Sequence, residues 1–250
     1  MYTLKKSLGQ HFLRDENIAR KIVASLSEHP FTQLLEVGPG AGALTKYLLE
    51  IEGIDLKAVE LDTEKVVYLS QTWPDLADRL IQGSILDIDK PFEGPFTVVG
   101  NFPYNISTQI LFKMLDWRDS LQSMTGMFQK EVALRVAAKE GNKVYGVISV
   151  LIQAFFHVEY LLEVHEQCFN PPPKVKSAVI RLLPRKVLPE MKDQKKFFLL
   201  VKTAFNQRRK TLRNAVKPLF TEDALRDPVF EKRAEQLSVD DFARLTWLMQ

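Results

Sequence analysis

Leu34-Leu35-Glu36-Val37-Gly38-Pro39-Gly40-Ala41-Gly42 is a short apolar run that carries an acid near its end and then breaks into alternating glycines. Such a run predicts a buried strand, and the glycines permit a tight turn and a close backbone approach to a ligand before residues 43–50 resume as a helix. The pattern recurs downstream. Leu56-Lys-Ala-Val-Glu60 predicts a second strand, residues 63–71 a second helix, Arg79-Leu-Ile-Gln82 a third strand and Phe96-Thr-Val-Val99 a fourth. Strands alternating with helices predict an α/β fold with a mostly parallel sheet and helices on both faces. Upstream, Asp15 stands where it can cap a helix with Ile18, Ile22, Val23 and Leu26 on one face. Later, residues 146–156 read as a helix, and Tyr160-Leu-Leu-Glu-Val164 and Ser177-Ala-Val-Ile-Arg-Leu182 as two strands closing the sheet. Pro171, Pro172 and Pro173 lie between these strands and break regular structure. Residues 183–189 read as a linker, and residues 192–250 as helical, with Phe197, Leu200, Val201 and Ala204 on one face.

The 250 residues allow one substantial core and a small appendage, and 46% apolar with 26% charged residues fits a folded globular protein. The first residues carry no apolar stretch of a secretory signal. The longest apolar run, residues 145–156, is interrupted by Gly146, Ser149 and Gln153 and is too short for a bilayer, so a cytoplasmic location is expected. One cysteine, Cys168, excludes an internal disulfide framework, and the four histidines show no ligand spacing, so no metal is expected. Charge is uneven. Residues 185–217 hold eleven Lys and Arg against Glu190 and Asp193, on a chain whose net charge is +3. A basic segment on an otherwise acidic chain suits a polyanion, although a solvated helix face gives the same count.

Two further patterns carry chemistry. In the glycine loop the spacing is GxGxG rather than GxGxxG, and Glu36 sits two positions before Gly38. A carboxylate there suits a cofactor bearing an ammonium group, S-adenosylmethionine, better than a pyrophosphate, which takes bare helix N–H groups. Glu60, at the end of the second strand, is placed to accept from ribose hydroxyls. An ordinary turn or a dinucleotide site stays open for the loop alone. After the fourth strand comes Asn101-Phe102-Pro103-Tyr104. The Asn101 side-chain carbonyl and a backbone carbonyl near Pro103 offer two acceptors to an exocyclic amine, and the Tyr104 ring offers a stacking face. Those are the needs of adenine N6 methylation, where the nitrogen lone pair is delocalised and the base must leave its stack. A plain strand-to-helix turn is the competing account.

Taken together, these motifs resemble those of the ribosomal RNA adenine N6,N6-dimethyltransferases, and most closely the bacterial branch acting on small-subunit RNA. Lys6-Ser-Leu-Gly-Gln-His-Phe-Leu13, residues 36–42, Gly100-Asn-Phe-Pro-Tyr-Asn-Ile-Ser107, Phe169-Asn-Pro-Pro-Pro-Lys-Val-Lys-Ser177 and Ala204-Phe-Asn-Gln-Arg-Arg-Lys-Thr-Leu-Arg213 occur in the family's order. The resemblance implies a Rossmann-like class I methyltransferase domain with a seven-stranded sheet over residues 1–188, residues 1–14 forming an arm, and a small basic helical RNA-binding domain over 189–250. It implies cofactor contacts at His11, Leu13, Glu36, Gly38, Gly40, Gly42, Glu60, Ser84 and Asn101, and catalysis by Asn101, Pro103, Tyr104 and Phe169. Phe169 would cover the target base opposite Tyr104; a core aromatic is the competing account. Cys168 is expected to pack rather than react. RNA contacts would come from Arg208, Arg209, Lys210 and Arg213. Ser84 stands where the family carries an acid, and Asp87 or the Ile85 backbone would be its substitutes. Phe102 replaces the usual aliphatic residue. The implied reaction is dimethylation of two adjacent adenosines in the 3′-terminal hairpin loop of 16S ribosomal RNA within an immature small subunit, by a monomer. The alternatives are a resistance methyltransferase of large-subunit RNA, a subunit-assembly factor and, remotely, a nicotinamide oxidoreductase.

Overall fold

The computed structural model describes residues 11–250, so residues 6–10 of the N-terminal motif lie outside the described residues. The chain forms two compact units, one of residues up to 133 with 158–184, the other of residues 134–157 with 185–250. The expected boundary after residue 188 falls just past the last crossing into the second unit, which also takes residues 134–157 from within the expected catalytic domain.

In the first unit, β1 (Phe12–Leu13) and β8 (Phe169–Asn170) pair as a short antiparallel ribbon. The main sheet holds β2 (Gln33–Val37), β3 (Asp55–Glu60), β4 (Leu80–Gln82), β5 (Phe96–Asn101), β6 (Leu121–Gln129), β7 (Phe156–Val164) and β9 (Ser177–Pro184). Their spatial order is β4-β3-β2-β5-β6-β9-β7. Pairing is parallel from β4 through β6 and turns antiparallel at β9. The seventh strand, β6, is the one that periodicity does not reveal.

Leu34, Leu35, Val98 and Val99 are wholly buried, so β2 and β5 are covered on both faces. Each such side chain contributes about 1.5–3 kcal/mol of burial. Helix α1 (Glu16–Leu26) begins where expected. Asp15 Oδ1 accepts from the Asn17 and Ile18 amides, and Ala19, Ile22 and Leu26 turn inward. Helix α2 (Thr45–Leu48) is shorter than the expected residues 43–50, because the turns on both sides close with i→i+3 bonds, Gly42 N–H to Pro39 and Glu50 N–H to Tyr47. Helix α3 (Thr63–Thr72) is capped by Asp62, and α4 (Ser107–Asp116) follows the turn of residues 101–104. Arg181 is buried on β9 with its guanidinium satisfied by Glu28 (2.8 Å), Glu159 (3.0 Å) and the Ser25 carbonyl (2.7 Å).

The chain continues through α5 (Lys130–Ala137) into the second unit, which holds α6 (Val147–Gln153), α7 (Gln194–Asn206), α8 (Leu212–Val216) and α9 (Val239–Leu245). The expected helical tail is thus a long α7, burying Phe197, Leu200, Val201 and Ala204, followed by short helices joined by 3-10 turns. Among the described residues no helix is long and apolar enough to cross a membrane.

Candidate active site

The chain runs outward from β2 through β3 to β4, then crosses back to β5 on the other side of β2. Where strand order reverses in this way, the loops at the carboxyl ends diverge and leave a crevice. It is lined by residues 36–40 after β2, 59–61 after β3, 83–86 after β4 and 101–106 after β5, with 11–13 as a further wall. Leu13 and His11 therefore stand where the resemblance places cofactor contacts.

Gly40 takes φ +58°, and a Cβ there would lie 2.9 Å from the Phe12 ring. The loop is thin because β1 packs directly on it. The Gly40 N–H donates to Glu60 Oε2 (3.1 Å), and the Asp62 N–H to Glu60 Oε1 (2.9 Å). These bonds hold the Glu60 carboxylate at the crevice, each oxygen keeping a second lone pair for a diol. Burial raises its pKa, and the two backbone N–H donors oppose that rise. Gly38 lines the crevice too. Gly42 does not; its φ is +82° and a Cβ would meet Trp73 at 2.1 Å, so it serves packing behind the loop.

Glu36 is 1% exposed, and its Oε2 accepts from Thr45 Oγ1 (2.7 Å). Burial pushes its carboxyl up to about 8, with the Glu60 charge adding to the effect. A buried acid with no cation beside it among the described residues, facing a crevice, suits a positive group.

Asn101, Pro103 and Tyr104 converge on the same crevice. Asn101 Nδ2 donates to the His11 carbonyl (3.0 Å), which leaves the side-chain carbonyl as the acceptor. The Pro103 carbonyl accepts the Ile106 N–H (3.2 Å) and retains one lone pair. The Tyr104 hydroxyl bonds to Ser177 Oγ, and its ring lies 5.5 Å from the His11 ring at 29°. His11 is in turn held by Pro171, whose carbonyl is 2.9 Å from Nδ1. Ser177 was missing from the candidate residues, though it closes the quoted Pro-Lys-Val-Lys-Ser run.

Phe102 is buried behind the turn, edge-on to Phe128 (centroids 5.0 Å). A Cβ at Gly126 of β6 would come within 2.0 Å of its ring, and one at Gly100 within 2.7 Å. The two glycines make the slot that lets an aromatic replace an aliphatic residue. Gly126→Ala is expected to lose about 1–3 kcal/mol by overpacking, and the added Phe102→Leu change to recover most of it. Chemical denaturation of both variants checks this.

Three expectations meet different surroundings. Phe169 does not line the crevice; it is 1% exposed and packs with Leu13, Ala19, Ile22 and Val164, because β8 is pinned to β1. Asp87 is exposed and is not among the residues lining the crevice. Ser84 lines the crevice, its Oγ accepting the Leu86 N–H (3.1 Å), and buried Ile85 lines it beside Ser84. Cys168 is half-buried; burial raises its thiol pKa, and a bond to Asp15 adds to the rise. In the second unit Arg208 pairs with Glu235 (2.6 Å) and Arg213 with Glu231 (2.6 Å), while Arg209 and Lys210 are exposed.

Comparison with known proteins agrees with this geometry. The family model for ribosomal RNA adenine dimethylase matches residues 1–250. A protein of Cytophaga hutchinsonii named ribosomal RNA small subunit methyltransferase A is 52% identical, covering 97% of this chain and 95% of its own. One of the same name from Parabacteroides distasonis is also 52% identical, covering 98% and 94%. Among solved structures, a dimethyladenosine transferase from Plasmodium falciparum superposes with TM-score 0.80 at 23% identity, over 96% of this chain and 99% of that one. The 23S rRNA methyltransferase ErmE gives 0.68 at 22% identity, over 93% and 99%. These two likenesses show the fold.

Proposed function

Since the chain belongs to the ribosomal RNA adenine dimethylase family, we propose that it places two methyl groups on N6 of each of two adjacent adenosines in the 3′-terminal hairpin loop of small-subunit RNA. It is an S-adenosylmethionine-dependent methyltransferase. The relatives named for the small subunit are about half identical over nearly the whole chain. The observation that carries the reading is the meeting of Asn101, Pro103 and Tyr104 with the glycine loop and Glu60 in one crevice.

The residues present fit the cofactor. Gly38 and Gly40 border the crevice, Glu60 is aimed by two amides toward a diol, and Glu36 is a buried acid suited to an ammonium group. Leu13, Ser84 and the Ile85 backbone would complete its adenine side, and the His11 and Asn101 pair its other wall. S-adenosylmethionine supplies an electrophilic methyl on a sulfonium.

The chain's own part is positioning. Tyr104, fixed at its hydroxyl by Ser177, presents a face to the flipped adenine and offsets part of the lost stacking. The Asn101 carbonyl and a backbone carbonyl of the turn accept from the N6 hydrogens, favouring a pyramidal nitrogen with a free lone pair. Among the described residues no side chain is placed as a base; the product ammonium is acidic enough to lose its proton to water. Phe169 supports this turn from the core by anchoring β8 against β1.

In the second unit, Arg209 and Lys210 hold RNA phosphates, with Arg208 and Arg213 keeping the basic segment folded through their ion pairs. The substrate is an immature subunit particle in the cytoplasm, and the enzyme works as a monomer. Methyl transfer from labelled S-adenosylmethionine to immature subunits, followed by nucleoside analysis, tests the reading. Dimethyladenosine in small-subunit RNA is expected. Label only in large-subunit RNA would move the protein to the resistance class, and tight binding without label would leave an assembly factor.

A further inference from the structure

A charged cluster at the same end of the sheet as the catalytic turn has no part in the chemistry above. Asn101 ends β5 opposite Met127 of β6, and β6 runs on to Gln129, which pairs with Ser177 at the start of β9. Lys130 and Lys176 flank that pair, joined by a Lys130 N–H to Lys176 carbonyl bond of 2.9 Å. Both ammonium groups converge on one carboxylate on β7. Lys130 Nζ is 2.5 Å from Glu163 Oε2 and Lys176 Nζ is 2.7 Å from Oε1. The lysine side chains are nonetheless 36% and 46% exposed. Lys174 is exposed in the same loop, and Tyr160, on β7 with Glu163, keeps 37% of its surface open.

The position of the cluster selects its ligand. The cofactor crevice takes the β2, β3 and β4 side of β5. A polynucleotide presenting a base at Tyr104 must then leave across the ends of β6, β9 and β7, where these groups lie. We propose that Lys130, Lys174, Lys176 and Tyr160 form an RNA-contact site on the catalytic unit, the lysines holding phosphates next to the target adenosine and Tyr160 stacking a neighbouring base. This rests on the reading of the protein as an RNA adenine methyltransferase. Ammonium groups act as point charges for phosphate, and an aromatic face beside them accepts any base. Glu163 is the placeholder anion. Hydrogen bonds from Lys130 and Lys176 hold its carboxyl down to about 2, so it stays charged until a phosphate takes its place.

The test is the affinity of a fluorescent hairpin RNA, by anisotropy across a salt series, for the wild type and four variants. Lys176→Ala and Lys130→Ala are each expected to weaken binding roughly 3–10-fold at 0.1 M salt and to lower the log–log salt slope by about 0.7. Tyr160→Leu should weaken binding with the slope unchanged. Glu163→Gln should tighten it roughly 2–5-fold, since it releases both lysines. If the lysines merely tie strand ends together, Glu163→Gln lowers the melting temperature and leaves RNA affinity and slope untouched, which overturns the proposal. Dimethyladenosine formation is scored in the same preparations. Its absence would count against the assigned reaction, while the affinities and slopes still decide the contact site.

Discussion

Asn101→Ala is expected to lower kcat about 10²–10³-fold while the protein stays folded, the loss typical when one preorganised polar group is removed from a transition-state site. The size follows from what the side chain does. Its Nδ2 bond to the His11 carbonyl orients the amide, and in the proposed reaction its carbonyl accepts from the amine that must give up conjugation with the purine ring. Alanine removes both the acceptor and the bond that fixes the His11 wall. Stability should fall by only about 1 kcal/mol, because Asn101 is half-buried at a strand end and loses one hydrogen bond. Single-turnover methylation of immature subunits, with thermal unfolding alongside, measures both. A variant that keeps wild-type kcat would remove Asn101 from the chemistry.

Glu36→Gln is expected to act in the opposite sense on stability, making the cofactor-free protein more stable. The Glu36 carboxyl has an ordinary value of 4.5 and is pushed up to about 8 in the folded protein, chiefly by burial. A raised acid pKa means the folded state holds its proton more tightly than the unfolded state. The wild type therefore pays nothing below about pH 4.5, loses stability steadily as pH rises through the window, and reaches its full penalty near pH 8. That penalty is on the order of 3–5 kcal/mol at about 1.4 kcal/mol per pK unit. Glutamine keeps the shape and the acceptor for Thr45 but carries no charge. Melting curves from pH 5 to 9 should show the variant's advantage growing with pH and vanishing at the acid end. The same change should weaken S-adenosylmethionine binding tenfold or more, because the ammonium group loses its counter-charge. Cofactor should then raise the melting temperature of the wild type far more than that of the variant. Equal pH profiles for the two proteins would mean Glu36 is ionised and solvated in the crevice.

Both expectations rest on residues that were legible in the sequence, and the reason is local. Glu36, the glycines and the Asn-Phe-Pro-Tyr turn sit at strand ends within a few residues of the apolar runs that betray the strands. What escaped was set by distant parts of the chain. Strand β6 reads Leu-Gln-Ser-Met-Thr-Gly-Met-Phe-Gln, with neither alternation nor a continuous apolar run, because it is buried on both faces and Gly126 must clear the Phe102 ring. Phe169 offered two readings, and its burial beside Leu13 follows from β1 at the other end of the sequence. The direction of the Asp87 side chain depends on a turn closed by Ser84. Arg208 and Arg213 looked like free cations until Glu235 and Glu231 were placed against them. The link from Ser177 to Tyr104 joins two motifs that were each visible and gave no sign of touching.

The ribbon of β1 and β8 sets a timetable for the nascent chain. Phe12 and Leu13 gain strand partners only in Asn170 and Phe169, and Phe12 is the residue that packs over the glycine loop. A chain still emerging from the ribosome carries every glycine and both crevice acids early, yet its first wall has nothing to pair with until residue 170 has been made. The crevice wall of residues 11–13 therefore finds its strand partner only after residue 170 has been made.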